Sequence, residues 1–354
     1  ILSEGSKDKN IDLAKVQALF FPLMILLIGL SNILVIYIGG KQFINGEIKQ
    51  LGTIVEFLIY VNMLTWPVAV IGWVTSMVQQ AEASQKRINE FLNEKPAIEN
   101  YVETETKING VIEFNNLSFT YSDTNITALK NISFKINPGE TLAILGNTGS
   151  GKSTILELIG RLYEVDKGQL KVNNKNIKDL NISSLRGSIG YVPQDAFLFS
   201  DSILNNIKFG KENASNEEVF EAAKKASVHE NIIGFNKGYK TILGERGITL
   251  SGGQKQRVSI ARAIIKDPQI LLLDDCLSAV DTETEEQILN NIETLLKNKT
   301  TIIVSHRISS AKHAHKIIVL KEGEIIQQGT HNELIKLEGY YKELYAKQLL
   351  EKEN

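Results

Sequence analysis

Residues 146–154 read GNTGSGKST and match the pattern G-x-x-x-x-G-K-[ST]. The apolar residues 141–145 before this stretch predict a buried β-strand, and residues 155–163 after it predict a helix. Glycines at such a junction let the backbone wrap around a phosphate and direct successive N–H groups at it, and the helix N-terminus adds a favourable field. The stretch therefore predicts a phosphate-binding loop, and a purely structural glycine turn is the alternative.

Side chains of this loop suit a nucleoside triphosphate and its metal ion. Lys152 offers a positive charge to the β- and γ-phosphates, and Ser153 offers an oxygen ligand to Mg²⁺. We therefore predict that ATP and Mg²⁺ are the cofactors. The predicted nucleotide-binding residues of the loop are Gly146, Asn147, Thr148, Gly149, Ser150, Gly151, Lys152, Ser153 and Thr154.

A pair of acidic residues follows the second continuous apolar segment, residues 269–273, which also predicts a buried strand. A carboxylate at the end of such a strand, across from a phosphate loop, can contact Mg²⁺ directly or through water, and this is the predicted role of Asp274. Asp275 would then lie next to the γ-phosphate and orient or deprotonate a water molecule. The alternative is a pair of solvated acids at a strand end.

Residues 250–254, LSGGQ, come directly before a predicted helix over residues 255–266. A serine, two glycines and a helix N-terminus form a second cradle for an anion. One nucleotide does not need two cradles, so we expect this one to face a nucleotide that another chain holds, with ATP between two copies or two relatives. The alternative is a serine N-cap with flexible glycines. The residues predicted to bind nucleotide in this way are Ser251, Gly252, Gly253 and Gln254.

The N-terminal quarter of the chain is much more apolar than the rest. Residues 16–38 form an uncharged stretch of about 23 residues, enough for a helix to cross a hydrocarbon core. A second stretch, 51–78, is similar but contains Glu56, Asn62 and Pro67. We predict two transmembrane helices; two buried core helices are the alternative, although core helices are usually shorter and amphipathic.

Basic residues indicate the orientation of these helices. Lysines and an arginine are more frequent before the first span and after the second than in the loop between them, so both outer ends are expected in the cytoplasm. We therefore predict that everything after about residue 90 faces the cytoplasm. The residues counted are Lys7, Lys9 and Lys15 before the first span, Lys86, Arg87 and Lys95 after the second, and Lys41 and Lys49 between them.

Composition excludes several other classes of protein. The 354 residues have a net charge of −2, which argues against a nucleic-acid binder, and the single cysteine, Cys276, excludes an intrachain disulfide. The polar, acidic residues around Pro96 predict a linker, after which short β-rich segments alternate with helical ones, as in an α/β domain with a largely parallel sheet. We expect a partial transmembrane domain over 1–92, a linker over 93–110, a nucleotide-binding domain over 111–348 and a tail over 349–354.

These residues together resemble the C-terminal part of an ATP-binding cassette (ABC) exporter half-transporter, over essentially the whole chain. The resemblance implies two transmembrane α-helices, the fifth and sixth of a six-helix half, followed by an α/β P-loop NTPase domain. It also implies that residues 250–254 are the signature motif, that 278–281 form a loop across a dimer interface, and that 244–247 contact the coupling helices. Since the chain does not begin with Met and two helices cannot enclose a polar path, we expect further helices upstream.

The resemblance also assigns roles to single residues. It implies that Tyr121 stacks on adenine, that Gln194 links Mg²⁺ and the attacking water to the membrane helices, and that His306 contacts the γ-phosphate. Downstream, residues 282–285, TETE, predict a capping box at the start of a helix. The predicted catalytic residues are Asp275, His306, Gln194 and Lys152, and the predicted metal ligands are Ser153, Gln194 and Asp274.

Asp275 departs from the family pattern, because most members have glutamate there. The shorter side chain draws the carboxylate back by one methylene, and general-base geometry tolerates little displacement. Asp275 resembles the subunits of heterodimeric bacterial multidrug exporters whose own site hydrolyses ATP poorly, in which case the 250–254 segment completes the partner's site. His306 is retained, however, so a slow homodimer stays open as the alternative to a heterodimer.

The resulting functional prediction is ATP-driven export of a multidrug or lipid cargo by two paired half-transporters. The resemblance implies a multi-pass protein of the bacterial inner membrane with a cytoplasmic nucleotide-binding domain. The expected partners are a second half-transporter, the lipid bilayer and an unidentified exported substrate, with no nucleic acid. One alternative is a regulatory subunit that binds ATP but scarcely hydrolyses it. Another is a soluble ATPase that acts on nucleic acid or ribosomes, which predicts a basic surface and no membrane spans, the opposite of what the sequence contains.

Overall fold

The computed structural model describes residues 2–244, 250–278, 280–295 and 297–353. The chain divides into two compact units, Ile1–Lys95 and Pro96–Asn354. The first unit is helical, and the second combines helices with β-sheets.

Two long helices, α1 (Leu2–Ile44) and α2 (Gly52–Leu92), form the described part of the first unit. Gly39 of α1 lies against Ile54 of α2, so that a Cβ atom at residue 39 would stand 3.1 Å from the Ile54 side chain. Asn62 Nδ2 donates to Asn32 Oδ1 at 3.4 Å and joins the apolar segments. Both helices are long and apolar enough to cross a membrane, and both extend beyond the predicted spans. The predicted pair of long apolar helices is confirmed.

Strands and helices alternate through much of the second unit. The strands are β1 (Ile112–Thr120), β2 (Thr127–Ile136), β3 (Thr141–Gly146), β4 (Leu170–Val172), β5 (Lys175–Asn176), β6 (Ile189–Val192), β7 (Ile270–Asp274), β8 (Thr300–Val304), β9 (Lys316–Lys321) and β10 (Glu324–Gly329). The α-helices are α3 (Lys152–Ile159), α4 (Ile182–Gly187), α5 (Ile203–Lys208), α6 (Asn216–Lys225), α7 (His229–Ile233), α8 (Gly252–Ile264), α9 (Thr282–Leu295), α10 (Ile308–Ala311), α11 (His331–Leu334) and α12 (Tyr340–Glu353).

The strands of this unit form two sheets. A six-stranded sheet has the order β10-β9-β3-β8-β7-β6; β10 pairs antiparallel with β9, and the other neighbours are parallel. The predicted α/β domain with a largely parallel sheet is thereby confirmed. A four-stranded antiparallel sheet, β2-β1-β4-β5, lies beside it and was not predicted from the sequence.

Apolar clusters cover both faces of the six-stranded sheet. Leu272 of β7 belongs to the cluster formed with α3 and the antiparallel sheet, whereas its neighbours Leu271 and Leu273 belong to the cluster formed with α6, α8 and α9. Strands that are buried on both faces read as continuous apolar runs rather than alternating ones. This burial explains why residues 141–145 and 269–273 are recognisable as strands.

The register of the sheet brings several loops to one edge. Ile144 of β3 pairs with Val304 of β8, and Val304 pairs with Asp274 of β7. On the other side of β7, Leu273 pairs with Val192 of β6. The loops that follow these four parallel strands therefore leave the sheet side by side, at the carboxyl edge where open α/β sheets bind ligands.

Two helix ends differ from the sequence prediction. Helix α3 ends at Ile159 rather than residue 163, because Gly160 caps it and Arg161 has a φ of +50°. The capping box over residues 282–285 is wrong: Asp281 Oδ1 accepts from Thr284 N at 2.9 Å at the start of α9, and the Glu285 carboxylate pairs with Arg307 instead.

The segment before β1 runs along the second unit. The Glu99 carbonyl accepts from Arg161 Nη2 at 3.0 Å, the Val102 carbonyl accepts from Asn181 Nδ2 at 2.7 Å, and the Thr106 N–H donates to Ser184 Oγ at 3.1 Å. Regular secondary structure is absent between Glu94 and Val111. The chain composition predicts this lack of structure but not the contacts.

Candidate functional site

The phosphate loop connects β3 to α3 through glycines with positive φ. Gly151 has a φ of +96°, and a Cβ atom there would meet the Ala128 carbonyl oxygen. Gly146 has a φ of +153°, and a Cβ atom there would meet the Leu320 carbonyl oxygen. Both positions require glycine for conformation and for space. The loop therefore follows closely the backbone of the strands around it.

Lys152, the first residue of α3, is buried and lies over this loop. Its Nζ atom donates to the Gly146 carbonyl at 2.9 Å and to the Asn147 carbonyl at 2.7 Å. Burial lowers the pKa of the Lys152 amine, and the nearby carboxylates of Asp275 and Asp274 oppose this shift. The positive charge is thus held inside the loop, where an anion can take over its hydrogen bonds.

An oxygen cluster lies beside the lysine. Ser153 Oγ donates to Asp274 Oδ1 at 3.1 Å, and Tyr191 Oη donates to Asp274 Oδ2 at 3.4 Å. Burial raises the pKa of the Asp274 carboxyl, while the bonds from Ser153 and Tyr191 oppose the shift. Among the described residues, no group of three or more His, Cys, Asp or Glu forms a metal cage. A few oxygen donors suit Mg²⁺, which keeps water and phosphate oxygens as its remaining ligands.

Asp275 is at the centre of the edge formed by the strand ends. Its φ is +43°, and its N–H donates to the Val304 carbonyl at 2.9 Å. Gln194 Nε2 donates to Asp275 Oδ2 at 3.4 Å, and His306 Nε2 lies 4.0 Å from the same oxygen. Burial raises the pKa of the Asp275 carboxyl, and His306 and Lys152 oppose that shift. The structure therefore brings together all of the predicted catalytic residues.

A cavity of about 520 Å³ joins these groups. Tyr121 lies on its wall, with its hydroxyl 2.9 Å from Thr154 Oγ1 and donating to Glu157 Oε2 at 2.9 Å. Burial raises the pKa of this hydroxyl to about 12. The predicted site residues that line the cavity are Tyr121, Thr148, Gly149, Gly151, Lys152, Ser153, Thr154, Gln194, Asp274, Asp275 and His306.

The 250–254 segment is not part of this cavity. Ser251 is exposed and caps α8: its Oγ accepts from Gln254 N at 3.3 Å, and Gln254 Oε1 accepts from Ser251 N at 3.1 Å. Gly252 and Gly253 follow as the first residues of a 13-residue helix. Their N–H groups have no acceptor within the helix, because its first turn has none to offer. The serine N-cap is present, and the helix end that carries these donors lies outside the cavity.

The sequence analysis missed three further residues that line the cavity. Lys130 of β2 and Glu322 and Gly323 of the β9–β10 turn line it, and the Lys130 N–H donates to the Gly323 carbonyl at 2.8 Å. The glycine of the Glu322-Gly323 pair is a local sequence signal for a turn. Both residues have a positive φ, as in two-residue hairpin turns of the asparagine-glycine type. The sequence gives no local signal that this turn lies near the phosphate loop, because residues 322–323 are far from residues 146–154 along the chain.

Arg307 forms a second unpredicted arrangement next to His306. Its guanidinium donates to the carbonyls of Ser278 at 2.7 Å and Val280 at 3.0 Å, and to Glu285 Oε2 at 3.1 Å. Arg307 thus connects the loop after β8 to the predicted interface loop. Parts of two predicted loops, residues 245–247 of the 244–247 loop and residue 279 of the 278–281 loop, lie outside the described residues.

Comparison with known proteins identifies this arrangement. A model of the family described as ABC transporter matches residues 129–278, which include the phosphate loop, the acids of β7 and the 250–254 segment. Residues 129–278 belong to the ABC transporter family. Residues 129–278 are therefore an ABC-type ATPase domain.

Curated relatives match almost the whole chain. The multidrug resistance-like ATP-binding protein MdlA of Buchnera aphidicola subsp. Schizaphis graminum is 43% identical over 98% of this chain and 59% of its own length. The protein of the same name from Escherichia coli K12 is 40% identical over 99% of this chain and 59% of its own length. The chain thus spans about three fifths of these relatives.

A solved structure extends the similarity to the fold. A bacterial Atm1-family ABC exporter with ATP bound superposes with a TM-score of 0.80 at 33% sequence identity, over 92% of this chain and 57% of that one. The order of two long apolar helices followed by an α/β nucleotide-binding domain is therefore that of an ABC exporter.

Proposed function

We propose that this chain is part of an ATP-driven exporter of the bacterial inner membrane, in which two ABC domains bind ATP between them and hydrolysis separates them again. The observation that supports this most directly is the division of the site. The cavity contains Lys152, Asp275 and His306, whereas Ser251 stands on an exposed helix end outside it. A second domain that applies its own 250–254 segment to the cavity would complete the site.

The chain's own groups suit phosphoryl transfer, which depends mainly on positioning and charge neutralisation. Lys152 would bind the β- and γ-phosphates, and Ser153, Asp274 and Gln194 would hold Mg²⁺. The bound ion would neutralise charge on the phosphate oxygens. Asp275 would orient the attacking water and accept its proton.

Asp275 favours pairing with a different subunit. The carboxylate lies 4.0 Å from His306 Nε2 and is one methylene shorter than glutamate, so it reaches less far into the cavity. We infer that this site hydrolyses ATP slowly and that the chain's 250–254 segment completes a faster site on its partner. Asp275 also supports two other candidates. One is a homodimer with slow hydrolysis at both sites, and the other is a regulatory subunit that binds ATP but scarcely hydrolyses it.

The long apolar helices support insertion in the membrane, with the ABC domain in the cytoplasm. The relatives' names contain the words multidrug resistance-like, and this supports the multidrug alternative of the proposed multidrug or lipid cargo. The two described helices do not define the cargo, because a transport path needs more helices than two.

Disulfide cross-linking of the full-length protein tests the paired arrangement. Cys276 is the only cysteine of the chain, so a Cys276→Ser background provides a protein without it. Exposed Ser251 and Thr148 are then both replaced by cysteine. We expect cross-linked dimers when Mg-ATP is added. The dimers would form either from the protein alone or with a second half-transporter, encoded by the adjacent gene, that carries cysteines at the aligned positions.

A matched control replaces exposed Glu230 by cysteine instead of Ser251 and should give no ATP-dependent product. If neither pairing gives an ATP-dependent cross-link, or if the full-length protein stays in the soluble fraction, the proposal is wrong.

A further inference from the structure

Helix α12 is fixed to the strand that precedes the phosphate loop. Tyr341 is fully buried in an apolar cluster that includes Ala143 and Leu145 of β3. Its N–H donates to Gln327 Oε1 at 3.0 Å, and its hydroxyl lies 2.7 Å from His331 Nδ1. These contacts hold the N-terminal end of α12 at a defined place beside β3.

Gln348 lies on the same face of α12 as Tyr341, because residues seven apart in a helix are nearly aligned. Its Nε2 donates to the His306 carbonyl at 2.8 Å, and its Oε1 accepts from the Ile308 N–H at 2.8 Å. A single amide therefore binds the backbone on both sides of Arg307. The N–H and the oxygen of the Gln348 amide both form hydrogen bonds with the segment that carries the His306 side chain.

The Ile308 N–H, in the loop after β8, needs a hydrogen-bond acceptor from outside its own helix. Helix α10 begins at Ile308, and its N-cap residue, Arg307, makes no capping hydrogen bond with its side chain. The first N–H groups of a helix have no acceptor within it. Gln348 provides one from another helix, and the same side chain fixes the peptide that follows His306.

The N-terminal end of α12 also contacts the phosphate loop. Tyr340 Oη donates to Asn147 Oδ1 at 2.7 Å. The carbonyl of the same asparagine accepts from Lys152 Nζ at 2.7 Å. One helix thus binds both of the loops that face the γ-phosphate position, the phosphate loop through Tyr340 and the histidine loop through Gln348.

We propose that α12 is a positioning element of the nucleotide site, in which Gln348 orients His306 toward Asp275 and Tyr340 orients Asn147 of the phosphate loop. The inference rests on the proposed function, because it concerns the same site. Gln348 and Tyr340 act through other residues and touch no reacting atom. Their two effects differ: Gln348 acts on the hydrolytic step, and Tyr340 acts on nucleotide binding.

Steady-state ATP hydrolysis at this site separates these effects, measured with the full-length protein alone or with a partner subunit whose own site has been inactivated. Gln348→Met keeps the length of the side chain and removes both hydrogen bonds. We expect kcat to fall about two- to tenfold, the range for a lost hydrogen bond or two, with KM for ATP retained. Tyr340→Phe should raise KM for ATP over a similar range and retain kcat. Lys347→Met, at an exposed position of the same helix, should change neither.

A double mutant distinguishes positioning from general damage to the fold. In a His306→Ala background, Gln348→Met should cause no further loss of kcat, because its target side chain is already absent. A loss that adds in full to that of His306→Ala, or a Gln348→Met protein with the kcat of the wild type, would overturn the inference.

Hydrogen exchange of the Ile308 amide tests the inference apart from activity. Without nucleotide, this amide should exchange faster in Gln348→Met than in Lys347→Met, because it loses its acceptor. Equal exchange in the two variants overturns the inference even if the wild-type protein hydrolyses no ATP. Absence of hydrolysis in every subunit pairing contradicts the proposed function instead, so the two failures are distinguishable.

Discussion

Ser153 Oγ donates to Asp274 Oδ1 at 3.1 Å, although 121 positions separate the two residues in the sequence. The contact follows from the register of the sheet, in which Ile144 and Asp274 lie on either side of Val304. The fold therefore places these two oxygen atoms next to the lysine of the phosphate loop. Each part of this site can be tested separately.

Lys152→Ala should weaken ATP binding by about ten- to a hundredfold, because it removes a buried cation that makes charge-assisted hydrogen bonds. Titration of the full-length protein with a fluorescent ATP analogue measures the change. Lys175→Ala removes an exposed lysine of β5 and should leave the affinity unchanged. Normal Mg-ATP affinity in the Lys152 variant would show that the phosphate loop is wrongly assigned.

Asp275→Glu should increase ATP hydrolysis by the protein alone, about tenfold or more, because the added methylene extends the carboxylate toward the position of the attacking water. Measured kcat values for the protein alone and with its partner subunit test this. Robust hydrolysis by the protein alone that is unchanged by Asp275→Asn would contradict the proposed slow site. In that case the carboxylate would have no part in the reaction.

The same residue should affect the pH dependence of stability. Burial raises the pKa of the Asp275 carboxyl, so the folded state favours the protonated form, and stability is lost as pH rises through that raised pKa. Asp275→Asn should therefore raise the Tm more at about pH 8 than at about pH 4, close to the usual pKa of an aspartate, where the wild-type carboxyl binds more protons.

Thermal unfolding of the full-length protein at both pH values measures this difference, with Asp123→Asn, at an exposed carboxylate, as the control. A variant whose Tm advantage grew as the pH fell would show that Asp275 is stabilised as an anion by Lys152 and His306.

Sequence patterns predicted the parts of the site that follow from local chemistry and strand periodicity. The glycine loop and the acids after β7 each follow a continuous apolar run, and parallel strands bring such loops to one edge. His306, by contrast, was assigned only through the resemblance to ABC exporters. The contacts of Gln348 and Glu285 could not be predicted in this way. Each connects segments that are distant in the sequence through a side chain that would otherwise be interpreted as exposed and polar.

Glu285 illustrates this limit, because its position three residues after Thr282 matches a capping pattern. In the fold its side chain is 1% exposed and accepts from Arg307 Nη1 at 3.1 Å, from Ser309 Oγ at 3.1 Å and from Ser310 Oγ. The local pattern was outweighed by a tertiary ion pair that buries the carboxylate against the loop after β8.

Glu285→Ala should reduce the free energy of unfolding by about 3 kcal/mol, because it removes the carboxylate that neutralises the partly buried Arg307 guanidinium and accepts from the buried Ser310 hydroxyl. Chemical denaturation of the full-length protein measures the loss. Glu283→Ala, at an exposed position of the same helix, should change stability by less than about 0.5 kcal/mol. Equal stability of the two variants would contradict the buried pair.

Cys276 provides an independent test of the core behind the acids of β7. The thiol is 1% exposed, and burial raises its pKa well above the usual range. Since the thiolate is the reactive form, a maleimide should fail to label Cys276 in the native protein and should label it fully in guanidinium chloride, as measured on the peptide that contains Cys276. A Cys276→Ser protein with Lys347→Cys on the surface should be labelled in the native state. Native labelling of Cys276 at the rate of that control would mean that the strand end bearing Asp274 and Asp275 is open to solvent.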